Sequence, residues 1–163
     1  MVKILFVCHG NICRSVCAEM VFNHLAKSAG MDRRFAASSA AATTEEIGND
    51  IYPPMKRTLL AHGIPCSVHA ARLLLRSDAD RFDLIIGMDH ENLWDMRRIL
   101  GSQGMKKVSL LMDWAGQTGR EVADPWYTRD FERTLQDTDL GCRALLSQLE
   151  AGRNSPGPFP VSL

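Results

Sequence analysis

Residues 3–7 (KILFV) put apolar side chains on both faces of an extended chain and run straight into Cys8. A strand of that kind has to be covered on both sides, which helices do over a mostly parallel sheet. The segments that follow supply such helices. From Ser15 the apolar spacing turns helical, with Val16, Met20, Val21 and Leu25 on one side and a stop near Gly30. Pro53 suits a first turn and Gly63 a C-terminal cap, which brackets a second helix over 53–62. Further helices are expected over 91–100 and 129–151, and further strands over 35–40, 83–88 and 108–112. Strands and helices alternating in this way predict a single α/β domain with a mostly parallel sheet. Ligands in such sheets bind beyond the carboxyl ends of the strands, near a topological switch point. The loop that begins at Cys8 falls at that end.

The length, 163 residues, is that of one domain. Residues 1–151 are read as that domain, and 152–163, with three prolines and two glycines, as a disordered tail outside it. Basic and acidic residues number 19 each, and a net charge of zero argues against a nucleic-acid or membrane-surface partner. The first apolar run is too short for the core of a signal peptide, and no segment reaches the length of a membrane span. The five cysteines, at 8, 13, 17, 66 and 142, are odd in number and scattered, which favours a reducing, cytoplasmic setting over a disulfide scaffold. No Cys-x-x-Cys pair or histidine cluster suggests a metal site, and no cofactor is called for. Oligomeric state is not legible beyond monomer or weak dimer.

The stretch Cys8-His9-Gly10-Asn11-Ile12-Cys13-Arg14-Ser15 carries the chemistry. A bare Cys-x5-Arg spacing is weak, and the chain holds its own control. Cys66 and Arg72 have the same spacing but follow Pro65, enclose no glycine and lead into no helix. At 8–15 a strand delivers the cysteine, Gly10 and Asn11 permit unusual backbone angles, and a helix begins at Ser15. Backbone N–H groups in such a turn converge on one point, and the helix start adds partial positive charge. A thiolate there is stabilised, the Arg14 fork matches two oxygens of a tetrahedral oxyanion, and the Ser15 hydroxyl can donate to sulfur. Together they describe a cradle for a phosphate dianion with a nucleophile beneath its phosphorus. Asp124-Pro125 by itself is a loop signal, and Asp124 is one acid among 19.

Residues 7–15 resemble the signature loop of the low-molecular-weight protein tyrosine phosphatases. The likeness continues through His62-Gly63-Ile64, His69-Ala-Ala-Arg72, Phe82-Asp83 to Met88-Asp89, Asn92 and Asp124-Pro125-Trp126-Tyr127, over about residues 3–150. It implies a four-stranded parallel twisted sheet with helices on both faces and a metal-free phosphatase working through a cysteinyl-phosphate. Cys8 would be the nucleophile, Arg14 the phosphate clamp and Asp124 the general acid and base. His9, Gly10, Asn11, Ile12, Cys13 and Ser15 would complete the phosphate-binding loop, with Ser39, His69 and Asp89 bracing it. The substrate would be a phosphotyrosine protein, with inorganic phosphate and other oxyanions as inhibitors. A second loop cysteine, Cys13, implies a reversible disulfide with Cys8 under oxidation.

Two positions depart from the family pattern. His9 stands where many members have an apolar or small residue, and is expected to face solvent. Glu45, followed by Glu46, falls where animal members place an aromatic wall, leaving Trp126 and Tyr127 to grip the substrate ring. Three other functions compete. A thioredoxin-linked arsenate reductase needs two further cysteines close together in mid-chain, where only Cys66 stands. A protein-arginine phosphatase is expected to carry threonine where this chain has Ile12. A non-catalytic phosphate or redox sensor would bind orthovanadate yet turn over no aryl phosphate.

Overall fold

The computed structural model describes residues 1–157. Four parallel strands form one twisted sheet: β1 (Val2–Cys8), β2 (Phe35–Ala41), β3 (Leu84–Gly87) and β4 (Val108–Leu110), in the order β2-β1-β3-β4. Between and after them come α1 (Arg14–Ser28), α2 (Pro53–Ala61), the single turn α3 (Asp78–Arg81), α4 (His90–Gly104), the single turn α5 (Pro125–Thr128) and α6 (Phe131–Glu150).

Alternate residues of β1 feed two separate cores, as the pleat requires. Ile4, Phe6 and Cys8 face α1 and α6, where they meet Val16, Phe22, Leu145 and Leu149. Leu5 and Val7 face the other way, onto Met96 and Leu100 of α4. All these strand residues are buried, so the expectation of a strand covered on both faces holds. β1 pairs with β2 on one side and β3 on the other. The chain therefore reverses its direction of travel across the sheet at β1, and the Cys8 loop lies at the switch point.

Three elements begin or end elsewhere than expected, each for a local reason. The strand expected over 108–112 ends at Leu110, because Asp113 draws in the N–H groups of Leu110 and Gly119 and turns residues 111–115 into a 3₁₀ helix. The helix expected from Arg129 starts at Phe131, because Arg129 is left-handed (φ 60°) and Asp130 caps the N–H of Arg133 at 2.9 Å. Strand 83–88 is shortened at both ends: Asp83 Oδ2 accepts the N–H of Lys3, and Met88 already donates its N–H to Asn92. Residues 152–155, in the segment expected to be a disordered tail, are exposed, and 156–157 are half-buried; residues 158–163 lie outside the described residues.

Candidate active site

The loop closes around Cys8, which sits at the end of β1 and is only 3% exposed. Asn11 takes the left-handed conformation (φ 61°) that its short polar side chain tolerates. That turn is clamped from three directions. His69 Nε2 lies 2.7 Å from the Asn11 carbonyl, the Arg72 N–H donates to Asn11 Oδ1 at 3.2 Å, and Asn11 Nδ2 donates to Ser15 Oγ at 2.8 Å. Cys8 Sγ lies 3.0 Å from Ser15 Oγ, to which the thiol donates; once sulfur is a thiolate the hydroxyl proton can turn to it, Oγ still accepting from Asn11. The Ser15 N–H reaches the same sulfur at 3.4 Å. Ser15 and Asn11 are fully buried, so these bonds are shielded from competing water.

Arg14 begins α1 with a side chain only 3% exposed. Nη1 donates to Asp89 Oδ2 at 2.6 Å and to the Val122 carbonyl at 2.9 Å, while Nη2 lies 3.3 Å from Asp124 Oδ2. Burial disfavours the charged guanidinium, but the Cys8 sulfur, Asp89 and Asp124 outweigh it and raise its pKa further. Asp89 itself is fixed as the N-cap of α4, its Oδ1 accepting the Asn92 N–H at 2.7 Å. Asp124 caps α5 in the same way, its Oδ1 accepting the Trp126 N–H at 3.0 Å.

These groups open into a cavity of about 140 Å³ lined by Cys8, His9, Gly10, Ile12, Cys13, Arg14, Glu45, Glu46, Asp124, Trp126 and Tyr127. Trp126 and Tyr127 are 48% and 82% exposed, at the mouth. Glu46 folds over Gly10 so closely that a Cβ there would lie 3.2 Å from its Cγ. His9 departs from expectation. It does not simply face solvent: it is half-buried, and its Nε2 meets Glu45 Oε2 at 2.9 Å. Thr43 explains why, since its Oγ1 donates to the His9 carbonyl at 3.0 Å and draws the 41–48 loop onto the 8–15 loop. Ser39 reaches Glu19, donating at 2.6 Å, rather than the loop backbone. Burial raises the Glu19 pKa against the pull of Ser39, His69 and Arg72. Among the described residues, one trio offers metal-type donors within 4.8 Å of one another: His9, Glu91 and Asp95. His9 is held by Glu45 and Asp95 by Arg98, so both already have partners.

Sequence reasoning missed Glu19, the Val122 carbonyl and Tyr52. Glu19 had a signal, lying one helical turn beyond Ser15 on α1. A carbonyl 108 residues from its donor had none.

The pattern of one family, described as "Low molecular weight phosphotyrosine protein phosphatase", matches residues 3–155. The chain belongs to this family. The low molecular weight protein-tyrosine-phosphatase YfkJ of Bacillus subtilis is 36% identical over 151 residues, covering 92% of this chain and 97% of that one. The low molecular weight phosphotyrosine protein phosphatase of Homo sapiens is 39% identical over 155 residues, covering 90% and 94%. The crystal structure of YfkJ superposes with a TM-score of 0.89 over 94% of this chain and 97% of that one, at 35% identity. The four-stranded parallel sheet is thus the phosphatase fold. Among the described residues, no helix is long and apolar enough to cross a membrane.

Proposed function

We propose that the chain is a protein-tyrosine phosphatase that hydrolyses phosphotyrosine and aryl phosphates through a cysteinyl-phosphate, with Cys8 as nucleophile, Arg14 as clamp and Asp124 as general acid and base. The observation that carries this is the meeting of the three in one small cavity. Cys8 Sγ lies under Ser15, and Arg14 Nη2 stands 3.3 Å from Asp124. The sulfur attacks phosphorus opposite the phenolic oxygen, and the S–P bond forms as the P–O bond breaks. Asp124, protonated for this step, gives its proton to the departing oxygen. The Arg14 fork and the loop N–H groups take up the charge that spreads over the equatorial oxygens. In the second step the Asp124 carboxylate takes a proton from water, which breaks the S–P bond and frees phosphate. Ser15 steadies the sulfur as thiolate before attack and as leaving group afterwards.

Phosphoprotein substrates follow from the family, and the cavity rim suggests which. Glu45 and Glu46 stand at the mouth in place of an aromatic wall. Phosphotyrosine flanked by lysine or arginine is the preferred context, and acidic flanks are disfavoured by about 2- to 5-fold per exposed charge pair, less at high salt. Ile12, which lines the same cavity, offers an apolar surface suited to an aryl ring and no polar group for a guanidinium.

The deciding assay is hydrolysis of p-nitrophenyl phosphate and phosphotyrosine across about pH 4.5–8 in EDTA, for wild type, Cys8→Ser and Asp124→Ala. Activity that survives EDTA, vanishes in Cys8→Ser and falls about 10²- to 10⁴-fold with phosphotyrosine in Asp124→Ala supports the assignment. Orthovanadate binding without turnover by the wild type refutes it in favour of a sensor.

A further inference from the structure

A segment outside the catalytic trio joins its two halves. Tyr52 precedes Pro53, and a residue before proline is confined to extended backbone; Tyr52 takes φ −55° and ψ 128°. So held, it donates its N–H to the carbonyl of Ile12 in the phosphate loop at 2.9 Å. Its ring points to the acid-bearing segment. The centroid lies 5.1 Å from that of Trp126 and 5.9 Å from that of Phe131. The Arg129 guanidinium sits 5.5 Å from both the Tyr52 and Phe131 rings and donates to the Tyr52 hydroxyl at 3.3 Å.

The acid needs such an anchor. Asp124 caps a helix of four residues, too short to hold its own orientation. Its Oδ1 is tied to the N–H of Trp126, so wherever Trp126 is held, the carboxylate is held. The far end of the turn is Arg129, left-handed at φ 60° without being glycine, a conformation that persists when its surroundings fix it. Tyr52 contacts both ends of this turn, Trp126 at one and Arg129 at the other.

We infer that Tyr52 is a positioning residue that couples the phosphate loop to the acid-bearing turn, setting Asp124 over the leaving group and Trp126 at the cavity mouth. This rests on the phosphatase reading above. Binding an oxyanion in the loop then reaches Trp126 through the Ile12 carbonyl and the Tyr52 ring.

The test uses the full chain with Tyr52→Phe, Tyr52→Leu and Tyr52→Ala, the leucine variant keeping apolar bulk should alanine unfold. Kinetics compare phenyl phosphate, whose leaving group needs the acid, with p-nitrophenyl phosphate, whose leaving group needs it less. Leucine and alanine are expected to lower kcat for phenyl phosphate about 10-fold, a loss on the scale of one aromatic pair, and to lower it far less for p-nitrophenyl phosphate. Phenylalanine, which keeps the ring stack, stays within about 2-fold. In parallel, 5-fluorotryptophan labelling reads Trp126 directly, assigned by Trp126→Phe, with exposed Trp94 and buried Trp114 as internal references. Sodium orthovanadate is expected to shift the Trp126 signal in wild type and Tyr52→Phe, but not in the leucine or alanine variants. Folded leucine and alanine variants with an unchanged substrate ratio and an unchanged Trp126 response overturn the coupling. A wild type that turns over neither substrate defeats the phosphatase reading alone, and the fluorine response then decides whether Tyr52 couples the two segments.

Discussion

Asp89 divides its carboxylate between two donors. Oδ1 takes the Asn92 N–H at the start of α4, and Oδ2 takes Arg14 Nη1 at 2.6 Å. Asp89→Asn leaves one acceptor oxygen for two donors, and its NH₂ must face the other. Asparagine is as good an N-cap as aspartate, so an oxygen turned to the cap preserves the helix and sets NH₂ against the guanidinium. The bond lost joins two charged groups whose side chains are 3% and 17% exposed, worth about 1.5–3 kcal/mol. That predicts a fall in kcat/KM of about 10- to 150-fold and, because the resting fold loses the same bond, a melting point lower by about 3–12 °C. Asp89→Ala loses both bonds. It should match the kinetic loss and also lose a cap worth about 0.5–2 kcal/mol, lowering the melting point further, by about 2–4 °C per kcal/mol. The assay is p-nitrophenyl phosphate kinetics beside calorimetry for both variants. Should asparagine instead turn its oxygen to Arg14, kcat/KM holds and the melting point drops. An asparagine variant unchanged in both would refute the division between the two oxygens, leaving the Val122 carbonyl and Asp124 to hold Arg14.

Other outcomes follow from separate parts of the molecule. Burial, with Cys8 and Asp124 beside it, pushes the Cys13 thiol far up, so it rests protonated beside Cys8. Stoichiometric peroxide is expected to give a Cys8–Cys13 disulfide, reversible by dithiothreitol and seen by mass spectrometry; its absence would remove the protective role. Burial alone would raise the Asp78 pKa, but bonds from Arg72, the Leu75 N–H and Arg81 outweigh it and hold the carboxyl low. The folded state therefore binds that proton less readily than the unfolded chain. The contribution is complete above about pH 4 and lost as the pH falls further, so Asp78→Asn should flatten the acid side of a urea-unfolding profile. A Cβ at Gly141 would meet Leu111 Cγ at 2.5 Å, so Gly141→Ala is expected to cost about 1–3 kcal/mol in denaturant unfolding without changing KM.

Much of this was legible in the sequence because it is written locally. The strand into Cys8, the turn at Gly10 and Asn11, and the helix from Arg14 are consecutive, and periodicity reads consecutive residues. Cys17 on α1 and Cys142 on α6 are fully buried. The site beyond the loop was legible only through family likeness, since Ser39, His69, Asp89 and Asp124 lie on four separate segments. What escaped was set by tertiary partners. No pattern marks a tyrosine that stacks on a tryptophan 74 positions later, and the turn at Arg129 is left-handed although its side chain disfavours that conformation. The short helices α3 and α5 were invisible for a related reason. Each is one turn, too short to show a period.

The bond from Arg14 to the Val122 carbonyl has a consequence for synthesis of the chain. On the proposed assignment, the nucleophile, the cradle and the clamp are all made within the first fifteen residues, yet the clamp's anchors lie up to 110 residues further on. A nascent polypeptide still short of Val122 can lay β1 beside β2 and β3, but its guanidinium has no carbonyl to rest on and its thiol no acid to work with. On that assignment turnover is expected to begin only when most of the chain has left the ribosome and folded back, so the first catalytic event would report completed tertiary structure, and a prematurely terminated product would be silent rather than promiscuous.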